Sequence, residues 1–248
     1  MIELAIIGGS GLTELEGLEI TNRQVLQTPY GEMSSPIIHG IYAGKSIVFL
    51  ARHGVQHTIP PHKINYRANI WALKQIGVKN ILAIAAVGSI HPEMQPGDLI
   101  IPHQIIDYTW GREHTFFTRD LSNVTHIDFT QPYCEKLRDL LLDSSQEVDF
   151  KVFSQGVYGT TQGPRLETAA EIDRMEQDGC DIVGMTGMPE AALARELELC
   201  YATCAIVANE AAGRGDGQIS MEEIEENLTY GIDYARQLLM IVIQELDY

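Results

Sequence analysis

Apolar residues along the chain fall into short unbroken runs separated by longer stretches with helical spacing. Residues 4–7, 46–51, 80–87, 99–106, 181–185 and 201–208 are compact runs rich in Ile, Val, Leu and Ala, the pattern of strands buried on both faces. Between them, residues 66–76, 132–144, 166–177 and 189–198 read as helices, and a last amphipathic stretch runs from Ser220 toward Leu246. Ser220-Met221-Glu222-Glu223 has the form of a capping box, which places the start of that helix. The alternation predicts an α/β fold in one domain, residues 1–248, with a central sheet. Ligand sites in such folds gather where strands end, and Ser10, Arg52, His53, Thr186 and Asn209 stand at those ends. The segment 108–129, rich in aromatics, Thr and His, predicts a long loop suited to a lid or a subunit contact.

Charge narrows the partners. With 34 Asp+Glu against 17 Lys+Arg, the 248-residue chain carries a formal net charge of −17. That disfavours nucleic-acid and anionic-membrane partners, and it stands in tension with an anionic substrate. No window reaches the roughly 18 uncharged apolar residues of a membrane span. Met1-Ile2-Glu3-Leu4-Ala5-Ile6-Ile7 lacks a basic region and a cleavage site, so it reads as a strand rather than a signal peptide. Cys134, Cys180, Cys200 and Cys204 include no C-x-x-C pair and are expected to be reduced, in a cytoplasmic protein.

Individual motifs leave alternatives open. Gly8-Gly9-Ser10-Gly11 after a strand suits either a phosphate cradle or a tight strand-exit turn. It is no dinucleotide fingerprint, because Glu14 stands where a small residue is needed, and no Gly-Lys-Ser/Thr follows. Arg52-His53 offers donors to an oxyanion, or an arginine for one of many carboxylates. His53, His57 and His62 do not make a metal motif: Gly54 follows His53, and Pro60-Pro61 breaks any helix that would align them. Glu167, in Gly163-Pro164-Arg165-Leu166-Glu167-Thr168, either caps a helix start or accepts hydrogen bonds from a ligand. Met185 and Met188 serve as core filler or as a ligand wall. No G-x-S-x-G elbow is present, so a bound nucleophile such as phosphate is a better candidate than a side chain.

Together these segments resemble the trimeric branch of the purine nucleoside and methylthioadenosine phosphorylases. The matching stretches are Ile6-Ile7-Gly8-Gly9-Ser10-Gly11-Leu12, Leu50-Ala51-Arg52-His53-Gly54, Asn65-Tyr66-Arg67-Ala68-Asn69, Gln95-Pro96-Gly97-Asp98, Gly163-Pro164-Arg165, Met185-Thr186 and Cys200-Tyr201-Ala202. They occur in the family's order over essentially the whole chain. The resemblance implies a central mixed β-sheet flanked by helices, the nucleoside phosphorylase/hydrolase-like fold. It also implies a homotrimer, no metal and no organic cofactor, with inorganic phosphate as co-substrate. Phosphate would be held by Ser10, Arg52, His53 and Thr186 and by backbone near Ala85 and Ala86, where Ala85 replaces the family's usual threonine. Met185 would lie under the ribose, and His126 would reach a neighbouring subunit's sugar pocket.

The resemblance places substrate choice at three points. Glu167 matches the glutamate that accepts a hydrogen bond from N1–H of a 6-oxopurine, whereas adenine presents a lone pair there. Ala208-Asn209-Glu210-Ala211 departs from the aspartates of adenine-specific relatives, and Asn209 can donate to purine N7. Met221 falls where inosine-cleaving relatives place a histidine for the 5′-hydroxyl, and its apolar surface suits a methylthio group. Glu225, one turn on, fits that pocket only if it faces solvent, and Leu166 replaces an aromatic residue that stacks on the base. The combination implies phosphorolysis of S-methyl-5′-thioinosine to hypoxanthine and 5-methylthioribose 1-phosphate. The alternatives are a 6-oxopurine nucleoside phosphorylase acting on inosine and guanosine, a methylthioadenosine phosphorylase, or a non-catalytic nucleoside-binding module.

Overall fold

The computed structural model describes residues 2–9, 12, 16–119, 121–215 and 217–246. In chain order the elements are β1 (Leu4–Gly8), β2 (Glu19–Gln24), β3 (Ile37–Tyr42), β4 (Lys45–Ala51), α1 (Tyr66–Gln75), β5 (Asn80–Ser89), β6 (Leu99–Ile100) and β7 (Gln104–Asp107). They continue with α2 (Glu135–Ser144), β8 (Val152–Phe153), β9 (Val157–Thr160), α3 (Ala169–Gln177), β10 (Ile182–Gly184), α4 (Gly187–Glu196), β11 (Cys200–Glu210) and α5 (Met221–Glu245).

The strands form one mixed sheet. Its main path is β2-β3-β4-β1-β5-β10-β9-β7, and β11 pairs with β5 and β6. The β1–β4, β1–β5 and β5–β11 pairs are parallel, while β2–β3, β3–β4 and β5–β10 are antiparallel. Period-two alternation divides the central strands between two cores. Leu4, Ile6, Phe49, Leu82 and Ile206 face α2 and α5, whereas Ala5, Ile7, Leu50, Ala83 and Tyr201 face α1 and α4. Burial on both faces is why these strands read as unbroken apolar runs. Helix α5 lies close against β11: a Cβ at Gly231 would run into Ile206.

Strand β5 creates the opening that the site uses. Its pairing with β1 stops at Ala83, and its pairing with β10 starts only at Gly88. Residues 84–87 therefore keep one backbone edge free while β11 pairs along the other. Ala86 is exposed within an otherwise buried central strand.

Several expectations are corrected. The run 99–106 is two strands with different partners, because Pro102 has no N–H to continue a ladder. Helix α2 starts at Glu135 rather than 132, because Cys134 is extended, its N–H bonds Tyr201 O at 2.8 Å, and its sulfur is joined to Cys200. That disulfide overturns the expectation that all four cysteines are reduced; Cys180 and Cys204 are free and buried. Glu167 does not cap α3: Thr168 does, in a reciprocal capping box with Glu171, so that helix begins at Ala169. No helix among the described residues is long and apolar enough to cross a membrane.

Candidate active site

A cavity of about 730 Å³ opens at the free edge of β5. Arg52 and His53 enter it from the end of β4, Ala85 and Ala86 from β5, and Met185 and Thr186 from the turn between β10 and α4. Leu166, Glu167, Asn209, Ala211 and Met221 complete the set of predicted positions that line it. Ser10 lies outside the described residues, although Gly9 lines the cavity. His126 and Glu225 are both exposed and do not line it.

Polar groups concentrate at one end. Arg52 is buried and its Nη1 donates to Ile84 O at 2.9 Å, on the unpaired edge of β5. Its Nε and Nη2 donate to the two carboxylate oxygens of Glu190, each at 2.7 Å. Burial disfavours the charged guanidinium, but Glu190 more than offsets this and holds its pKa above the ordinary value. His53 is pushed down to about 4, first by burial and then by the charge of Arg52. Its Nδ1 lies 2.8 Å from Ile59 O, and its ring stacks on His57 with centroids 4.5 Å apart. Thr186 is buried, and its N–H donates to the Tyr158 hydroxyl at 3.4 Å.

Glu167, on the cavity wall, is held from behind by Thr161. The Thr161 hydroxyl donates to Glu167 Oε1 at 2.6 Å, while the backbone N–H of Thr161 donates to Gly184 O at 2.8 Å. The β11–β5 register shifts between Val207 and Asn209, a bulge that turns Asn209 into the cavity wall. Asn209 Nδ2 donates to Glu210 O at 2.6 Å, which leaves its second amide hydrogen for a ligand. At the mouth, Met221, Ile224, Leu228 and Ile232 form one apolar stripe of α5. Glu225, one turn after Met221 on the same side of α5, is exposed and does not line the cavity.

Residues 3–244 match one protein family, described as the phosphorylase superfamily. The chain belongs to that superfamily.

Within it, the chain is 56% identical over 243 residues to a probable S-methyl-5′-thioinosine phosphorylase of Pseudomonas syringae pv. tomato, covering 98% of this chain and 99% of the relative. It is 47% identical over 245 residues to a probable 6-oxopurine nucleoside phosphorylase of Dictyoglomus turgidum, covering 99% of this chain and 92% of that one. Among solved structures, methylthioadenosine phosphorylase from Schistosoma mansoni in complex with adenine matches with a TM-score of 0.92 at 32% identity, over 98% of this chain and 91% of that one.

Two buried residues that shape this cavity carry no signal in the sequence. Nothing in the sequence marks the pairing of Glu190 with Arg52, 138 positions away. Arg112 lies in the long loop and is buried. Its Nη1 donates to Met185 O and Met188 O at 2.9 and 2.6 Å, and its Nη2 to Thr161 O and Gln162 O at 3.1 and 2.9 Å. It thereby ties the segment that carries Glu167 to the turn that carries Thr186. In the sequence Arg112 is one of two arginines, with Arg119, in an irregular, aromatic-rich segment, and nothing there distinguishes it.

Proposed function

We propose that this phosphorylase cleaves S-methyl-5′-thioinosine, transferring its 5-methylthioribosyl group to inorganic phosphate and releasing hypoxanthine. The carrying observation is that Glu167 and Asn209 line the same cavity as Arg52, His53 and Thr186, with an apolar α5 stripe at its mouth. The name of the Pseudomonas relative supports the same reading.

In this reading, leftover N–H groups of Arg52, the Thr186 hydroxyl and peptide groups near Ala85 and Ala86 hold phosphate, together with Ser10. A phosphate oxygen attacks C1′, the C1′–N9 bond breaks, and its electron pair leaves with the purine. Phosphate beneath the developing oxocarbenium ion stabilises it, and Met185 supports the sugar. Glu167, oriented by Thr161, accepts from N1–H of the 6-oxopurine. Adenine would set its N1 lone pair against that carboxylate. The free amide hydrogen of Asn209 serves N7 as negative charge develops on the base. No metal or organic cofactor enters the scheme. The working unit is a homotrimer in the cytoplasm, with His126 reaching the sugar pocket of a neighbouring subunit.

The test is release of free base from methylthioinosine with and without phosphate. Phosphate-dependent hypoxanthine is the expected result; no phosphate-dependent release from methylthioinosine, inosine or methylthioadenosine contradicts the enzyme reading. A general 6-oxopurine nucleoside phosphorylase is the second reading, favoured by the 63% exposure of Met221, which leaves the mouth open to a hydroxyl with its water.

A further inference from the structure

The anion end of the cavity contains an arginine but little net positive charge. Glu190 is fully buried, it engages Arg52 through both oxygens, and the Tyr201 hydroxyl donates to the same Oε1 at 2.9 Å. A bidentate pair shielded from water on both sides presents less positive charge to a ligand beside it than a bare arginine would. His53 adds none. Ile59 O can only accept, so the proton of the neutral ring sits on Nδ1 and the lone pair on Nε2. Burial and the charge of Arg52 keep that ring neutral.

The surrounding groups do not change this balance. Tyr66 from α1, Tyr158 from β9 and Tyr201 from β11 are held in the neutral phenol form, chiefly by burial. His57 meets His53 by ring stacking, Arg112 donates to the Tyr66 hydroxyl and to backbone carbonyls such as Met188 O, and Glu167 lines the cavity without adding positive charge.

We propose that this site takes up phosphate together with one proton, shared between a phosphate oxygen and His53 Nε2, and that Glu190 sets this requirement by matching the charge of Arg52. The proposal rests on the phosphate assignment above and specifies the ionic form admitted. A dianion has no hydrogen for Nε2, so lone pair would face lone pair, and the Arg52–Glu190 pair offers one net charge fewer than a bare arginine. The monoanion satisfies both: its P–O–H donates to Nε2, and its single charge accepts from the leftover guanidinium N–H groups, Thr186 and the β5 edge. Whether the bridging proton is drawn on the ring or on the phosphate, the complex holds one proton more than free dianion plus neutral histidine.

Calorimetric titration with inorganic phosphate, at a pH above its second ionisation and in two buffers of different ionisation heat, counts that proton. The wild type is expected to take up about one proton per phosphate bound. His53→Asn, whose amide donates to a dianion, is expected to bring uptake close to zero. Glu190→Gln is expected to lower uptake and to tighten sulfate, a dianion with no proton to share. Binding without uptake in the wild type, or undiminished uptake in His53→Asn, overturns the proposal. A readout that needs no variant is KM for total phosphate, expected to rise about tenfold per pH unit above the second ionisation; a flat or falling KM overturns the proposal while leaving phosphorolysis intact. Absence of both phosphate heat and phosphate-dependent base release instead overturns the reading beneath it.

Discussion

The hydroxyl of Thr161 donates to Glu167 Oε1 across 2.6 Å, and the backbone N–H of the same threonine is fixed to Gly184 O. The carboxylate is therefore oriented from the end of β9 rather than by the helix that follows it. Thr161→Val removes the donor and nearly keeps the shape. A hydrogen bond to a charged group contributes about 1.5–3 kcal/mol, and half-burial of Glu167 favours the lower figure, so kcat/KM for the 6-oxopurine nucleoside should fall roughly tenfold. An unchanged value would show that Glu167 needs no such support.

Met221 begins α5 and lies 63% exposed at the cavity mouth. Met221→His supplies a donor to a 5′-hydroxyl and removes apolar surface from a methylthio group. The ratio of kcat/KM for inosine to that for methylthioinosine should rise by about tenfold or less, since the position is partly solvated. Steady-state kinetics on both nucleosides decide it, and an unmoved ratio would place the 5′ group elsewhere.

Arg112 donates to four carbonyls in two segments and lies over the Tyr66 ring at 5.5 Å. Arg112→Met leaves those carbonyls without their donor and should cost more than about 3 kcal/mol in denaturant unfolding. Arg112→Lys keeps the charge but loses the planar fan, so it should be intermediate in stability and still impaired in kcat/KM. Full activity in the lysine variant would show that the fan is not needed to set the two segments.

His53 carries a pH signature in stability as well as in binding. Its pKa falls from 6.5 to about 4 on folding, so between those values the unfolded chain binds more protons than the folded one. Stability therefore declines as the pH drops through that window, and His53 contributes no further loss below it. Thermal unfolding from neutral to acidic pH should show this slope, reduced in His53→Asn. Identical slopes in the two proteins would contradict a neutral imidazole in the fold.

What could be read in advance follows from burial. Strands β1, β4, β5 and β11 are covered on both faces and were legible as apolar runs. Strand β2 was not: Glu19-Ile20-Thr21-Asn22-Arg23-Gln24 is polar and exposed, held to the sheet edge by its pairing with β3. Arg52, His53, Thr186 and Asn209 were found because they sit at strand ends in recognisable motifs. Glu190 and Arg112 were not, since each acts through contacts made only by the folded chain. The Cys134–Cys200 link spans 66 positions and has no local spacing signal. The acidic excess that stood against an anionic substrate is a property of the whole surface, whereas the field at the polar end of the cavity is governed by Arg52, Glu190 and His53 at short range, within the roughly 8–10 Å over which exposed charges act.

In the proposed function, Glu167 and Asn209 select a 6-oxopurine over adenine. The most direct test is the ratio of kcat/KM for methylthioinosine to that for methylthioadenosine, measured at saturating phosphate. Sites built on such donor–acceptor matching discriminate by about 10⁴ or more, and a ratio of that order is expected. It should collapse in Glu167→Ser combined with Asn209→Asp. Equal rates on the two nucleosides in the wild-type protein would contradict the account.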